Sequence, residues 1–400
     1  MTGTAPKTRR TRPASINVIC AVTAIALITV AGCVLKGSTD ASQAGPMSGI
    51  VAEGQRIFRF DTFGDEQFWT DKARLHEVIE QQVQPLEALR LGLKVDLDNL
   101  NLLRFVFHNP FAVSGTKELL RQNAVVGVQA TFDKDGNIAR IGITCALCHS
   151  TVDNALLPGI GHRLDGWANR DLNVGAIIAL SPALTAEQKA VYRSWGPGKY
   201  DPRYNLDGKN TPLAMPPAYG LADVKNETYT AEGPISYWNA YVAVTQMHGQ
   251  GNFSDPRLGI DVKHSPDLVT PKLPALRAYQ LSLPAPKAPA GSFEPAAAAR
   301  GRTLFDRTCA SCHIGGTGTD NNDGKLHAPA ETGVDGAYAA RTVSKGYRTT
   351  PLRALWQHPP YFHDGSMATL ADVVAHYNRI RTLNLTAEQQ KDLVEYLKSI

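Results

Sequence analysis

Cysteine is scarce in this chain, and none of it is spare. Of six cysteines in 400 residues, Cys20 and Cys33 lie in an apolar N-terminal stretch and the other four fall in two short runs. No pair is left for a structural disulfide. Charge of one sign is also lacking. The formal net charge is +4, and part of it comes from Lys7, Arg9, Arg10 and Arg12. There is no basic run and no stripe of aromatics among lysines, so no nucleic-acid partner is expected. Alternating, strand-like patterns are few, so the expected fold is mainly α.

What is present begins with a basic segment followed by an apolar stretch, Ile16 to Val34, containing Val30-Ala31-Gly32-Cys33. This is the pattern of a bacterial lipoprotein signal over residues 1–33, with lipid on Cys33 after cleavage. An uncleaved membrane helix is the alternative, since about 18 apolar residues can just span a bilayer. Either reading places the rest of the chain in the periplasm, anchored to the membrane.

Residues 34–50 read as a tether. A first unit is expected over 51–282, an N-terminal extension followed by loops dense in Gly, Pro and Asn. Within it, helices are predicted around Lys72–Gln84 with Pro85 as a stop or kink, over Leu100–Phe107, and over Pro274–Leu281. Residues 283–295, Leu-Pro-Ala-Pro-Lys-Ala-Pro-Ala-Gly-Ser-Phe-Glu-Pro, form a linker. Residues 296–400 form a second unit, closed by an amphipathic helix whose Thr386 and Gln389 make a capping box.

The chemistry lies in the two runs, Cys145-Ala-Leu-Cys148-His149 and Cys309-Ala-Ser-Cys312-His313. Two thiols spaced this way add to the vinyl groups of a haem, and the adjacent His supplies the proximal iron ligand. A zinc site would need four ligands closing around one ion. Here each pair is followed at once by His, and Cys145 and Cys309 are 164 residues apart. A redox dithiol would have to occur twice, each time with His by chance. Two covalently bound haem c groups are therefore expected. The opposite face of each iron then decides between electron transfer and reaction with an oxidant.

The second unit resembles the dihaem cytochrome c peroxidase family, which includes MauG. The resemblance rests on Gly301-Arg-Thr-Leu-Phe305 before Cys309, Thr350-Pro-Leu-Arg353, Pro360-Tyr-Phe-His-Asp-Gly365, Thr369-Leu-x-x-Val-Val and Asp392-Leu-Val-x-Tyr-Leu-Lys-Ser. The first unit matches more thinly, through its motif, Gly159-Ile-Gly-His162 and Asn210-Thr-Pro. The family implies two cytochrome c-like domains, with hydrogen peroxide (or O₂) reacting at the His149 haem. The distal histidine there would fall on His162. Electrons would come in at the His313 haem, whose sixth ligand falls on Tyr377, with Met367 or no protein ligand as the alternatives. Arg353 would neutralise a propionate, and His363 would support the same haem. A Ca²⁺ between the haems would take Asn210 and the carbonyls near His358 and Pro360. The aromatic that relays electrons between the haems would be Trp238, with Tyr229 second.

Two departures stand out. No Asn-Pro-x-Glu-Met-like run carries the peroxidases' catalytic Glu. About forty extra residues between His162 and Asn210 include Trp195-Gly-Pro-Gly, which is similar to rubber-cleaving haem oxygenases. The expected function is a dihaem oxidoreductase taking electrons from a small cytochrome c or copper protein. The alternative is a purely electron-transferring dihaem cytochrome.

Overall fold

The computed structural model describes residues 49–400. The expected export signal with Cys20 and Cys33, and the expected tether up to residue 48, lie outside the described residues. The last two residues assigned to the tether instead open the helix Gly49–Phe60.

The architecture is mainly helical, with five small two-stranded sheets. Two crossed helix pairs frame it. Gly49–Phe60 packs on Leu273–Ser282, and Pro295–Thr308 packs on Ala387–Ser399. The same device lets each pair approach closely. A Cβ on Gly54 would collide with the Ala275 carbonyl, and one on Gly301 with that of Asp392. Each glycine is followed at the same spacing by an apolar pair, Ile57-Phe58 and Leu304-Phe305. These side chains turn inward to the two cores. The sequence reading found this pattern only in the second unit. Arg300 adds a two-pronged ion pair to Asp392, with Nε and Nη2 at 2.8 and 2.6 Å from the carboxylate.

Other expectations shift by a few residues. Lys72–Gln84 resolves into a π-helical turn, Gln67–Lys72, and a helix, Leu75–Gln82. Pro85 does not merely stop that helix but sits first in the next, Pro85–Arg90, where a missing N–H costs nothing. The run 100–107 is helical over Leu102–Phe107. The closing helix carries the complete capping box at Thr386 and Gln389. The hairpin Val128–Phe132 with Ile138–Ile143, which leads into the first motif, was not anticipated. Contacts run across residues 283–295: Leu283 accepts from Gly220 N, and Trp167 packs edge-on against Trp356.

Asp165 ties the first half together. Its carboxylate takes Arg59 Nε at 2.5 Å, Tyr279 Oη at 2.5 Å and Ser150 Oγ at 2.7 Å. Arg59 and Tyr279 belong to the two crossed helices, and Ser150 directly follows His149. Asp165→Ala would leave a half-buried guanidinium without its counter-ion. The expected loss is about 3 kcal/mol of unfolding free energy, read from denaturant titration, with Asp165→Asn losing less.

Candidate haem site

The first motif forms a short helix, Ala146–His149, after the hairpin. Gly127, in the left-handed region at φ 77°, lets the chain pass against Leu147 where a side chain would collide. His149 is half-buried, and its Nδ1 lies 3.1 Å from the Pro216 carbonyl. A carbonyl only accepts, so Nδ1 carries the proton and Nε2 keeps its lone pair free. The second motif repeats the arrangement. Cys309 caps the helix Pro295–Thr308, and His313 Nδ1 lies 2.9 Å from the Gly318 carbonyl. Burial lowers both imidazole pKa values, that of His149 to about 4, so both rings are neutral. Burial pushes the thiols of Cys145 and Cys148 up to about 12.

One cavity of about 490 Å³ is lined by the cysteines and the histidine of both runs. Trp238, Tyr229, Arg353, His358, His363 and Tyr377 share its wall. These positions are distant in sequence and are brought together here. Tyr377 reaches the cavity from the helix Leu370–Ile380, with its hydroxyl pKa pushed up to about 12 by burial. Met367 does not line the cavity: its backbone is pinned to Tyr361 in a bridge, with Tyr361 N to Met367 O at 2.7 Å. Between these two, the geometry brings Tyr377 to the site. His363 stacks on Tyr347 at 4.3 Å, with Nε2 3.0 Å from the Tyr347 hydroxyl. Tyr229 donates to the Ala214 carbonyl at 3.0 Å, and its ring meets His363 edge-on. Trp238 is buried, and its indole Nε1 has no hydrogen-bond partner.

Three assignments are corrected. His162 is on the surface, with its Nδ1 2.7 Å from Asp98 Oδ1, and it is not on the cavity wall. Side chains alternate along extended backbone. Gly161 and Arg163 face inward, so His162 faces water. Asn210 is also exposed and away from the cavity, and its Oδ1 accepts the Trp195 indole at 2.8 Å. The Pro360 carbonyl, the other part of the calcium reading, faces Arg170 Nη1 at 3.4 Å. Among the described residues, the one grouping of possible metal ligands is Cys312, Asp320 and His327, and it uses a motif thiol. Arg353 does line the cavity, but its charge is met by Asp223 at 2.6 Å.

Arg170 and Arg348 were missed. Both line the cavity, and the Nε of each is buried without a partner. Arg348 stands just before the matched Thr350-Pro-Leu-Arg353 run, a neighbourhood that offered a signal; Arg170 had none. The residues present fit a haem. Paired thiols and a lone-paired imidazole meet its vinyl groups and iron, and the orphaned guanidinium donors meet its carboxylates.

Asp65 holds the approach to the first motif, accepting Ile143 N at 3.2 and 3.3 Å. Burial, then the neighbouring Glu66, raises its pKa from 3.8 to about 9. The folded protein thus retains a proton that the unfolded chain releases. This contribution is complete below the unfolded value of 3.8 and is lost as pH rises through about 9. The stability of the parent relative to Asp65→Asn should therefore fall steadily across that window. Paired denaturant titrations at stepped pH measure it, and a constant difference would contradict it.

Residues 298–400 match the cytochrome c family model. Cytochrome-c peroxidase IdrP1 of Denitromonas iodatirespirans is 35% identical over 65 residues. That alignment covers 14% of this chain and 17% of that protein, so the chain matches under a fifth of this curated relative. Among solved structures, hydrazine synthase of Kuenenia stuttgartiensis shares 19% identity at a TM-score of 0.34. It covers 48% of this chain and 73% of that one. A MauG-like protein associated with microbial copper homeostasis shares 20% identity at a TM-score of 0.35, covering 48% and 74%. Residues 298–400 are thus a cytochrome c domain of the kind that carries haem c, and a 65-residue stretch of the chain is similar to a cytochrome-c peroxidase.

Proposed function

We propose that the chain is a dihaem oxidoreductase, tethered to the periplasmic face of a membrane by its N-terminal segment. In this reading a small oxidant, hydrogen peroxide or O₂, reacts at the Cys145–His149 haem, and electrons pass through the Cys309–His313 haem. The observation that carries it is the single cavity lined by both motifs. Haem bound there supplies an iron that changes oxidation state by one electron and can take an oxidant on its free face.

The chain's own residues prepare the site. Pro216 and Gly318 fix the two imidazoles through Nδ1. Arg170 and Arg348 offer buried Nε–H donors to carboxylates. Trp238 and Tyr229 place aromatic rings on the cavity wall as candidate relays. Tyr377 offers a phenol oxygen on the side of the second motif, where a bound cation would favour its ionised form. A small cytochrome c or copper protein is the donor class we propose.

One observation favours the rival reading, electron transfer without oxidant chemistry. The carboxylates on the cavity wall, Glu227 and Glu331, are engaged by Arg348 at 3.7 Å and His327 at 2.9 Å. Glu331 is thus held by its partner, while burial raises the pKa of Glu227.

Low-temperature EPR of the oxidised protein separates the two. One high-spin haem whose signal changes on adding hydrogen peroxide is the expected result. Two low-spin haems, both indifferent to peroxide in the oxidised and half-reduced states, would leave electron transfer alone. Tyr377→Phe should alter the spectrum of the His313 haem only. An unchanged spectrum would remove Tyr377 as a ligand.

A further inference from the structure

A second, smaller chamber of about 170 Å³ adjoins the cavity. Two π-helical segments help to build it. Gln67–Lys72 supplies Phe68, Trp69 and Lys72, and Val242–Gln246 supplies Gln246. π-Helical turns are rare and occur frequently at functional sites. The extra residues after His162 supply much of the remaining wall, including Ile178, Ser181, Tyr192 and Tyr200.

The chamber has two different ends. Lys72 and Ala183, on one side, are exposed. Trp69, Ile178, Tyr200 and Gln246, on the other, also line the large cavity. It therefore runs from the surface to the wall beside the first motif. At that wall the Tyr200 hydroxyl donates to Gln246 Oε1 at 2.8 Å, and Gln246 Nε2 donates to Thr245 Oγ1 at 2.8 Å. Both ends of the Gln246 amide are thus held. His248 lies along the chamber in the left-handed region at φ 65°, stacked on Phe68 at 3.5 Å. Such backbone strain is retained where the surroundings over-determine it.

Size and lining define the occupant. At about 170 Å³, against about 490 Å³ for the cavity, the chamber takes molecules smaller than a haem. Its deep wall is aromatic and amide, with no fixed charge beyond Lys72 at the mouth, so a charged species would lose hydration without compensation. We propose that the chamber admits and holds a small neutral oxidant, of the size of hydrogen peroxide or dioxygen, on its way to the first haem, with the Tyr200–Gln246 hydrogen bond as the inner barrier. This inference rests on the reading that the Cys145–His149 haem reacts with such an oxidant.

The test uses the full-length haem-loaded protein and two probes. Hydrogen peroxide is mixed with the oxidised protein by stopped flow, and carbon monoxide rebinding to the reduced protein is followed after a light flash. Ala183→Trp, at the mouth and off the cavity wall, should lower both second-order rate constants about tenfold with haem content and spectra unchanged. Leu184→Trp serves if that variant does not fold. Tyr200→Phe keeps the ring but removes the barrier bond, and should raise both constants about threefold. Parent rates in both tryptophan variants and in Tyr200→Phe would overturn the chamber and leave the oxidant reading intact. A parent protein that takes up neither probe at either haem would overturn the oxidant reading, and the chamber with it.

Discussion

Asp165 sits almost fully buried where three stretches of chain meet that are far apart in sequence. Arg59 comes from the helix Gly49–Phe60, Tyr279 from the helix Leu273–Ser282, and Ser150 from the strand that leaves the first motif. A carboxylate removed from water must have its lone pairs occupied, and here three donors occupy them. The crossing angle of the two helices, the position of His149 and the turn toward Pro216 are thereby constrained together. The rest of the first half is arranged around this ionic knot. The second half relies on a longer helix contact and on the Arg300–Asp392 pair.

The two halves follow one plan with different surroundings. Each has a glycine at a helix crossing, an inward Ile-Phe or Leu-Phe pair, a Cys-x-x-Cys-His run and an imidazole held through Nδ1 by a backbone carbonyl. Around the first motif the walls are aromatic and amide, and a chamber leads outward. Around the second, Tyr377, His363 and Tyr347 gather, with Arg348 nearby. Arg170 links the two halves. Its neighbour Asn169 is bonded through its backbone to Cys148, and its own guanidinium reaches Pro360. A fixed cation thus already faces a carbonyl that had been assigned to calcium.

Much of this was legible in the chain itself, because covalent and local chemistry is written locally. Attachment of haem needs two thiols and an imidazole at fixed short spacing, so Cys145 to His149 and Cys309 to His313 can be read without a fold. The capping box at Thr386 and the helical character of the closing segment are equally local. Folding alone decided which distant side chains reach the cavity. His162 carried a suggestive spacing, yet strand alternation and Asp98 turn it to water. Met367 and Tyr377 lie ten residues apart, and a backbone bridge at Tyr361 holds one away while the helix Leu370–Ile380 delivers the other. Arg170, and the chamber walled by Trp69, Tyr200 and Gln246, left no pattern in sequence, since they exist only where separate segments pack. The sequence by itself carries the two attachment motifs and their places. Tertiary packing decided what faces them, because burial and distance are properties of the assembled chain.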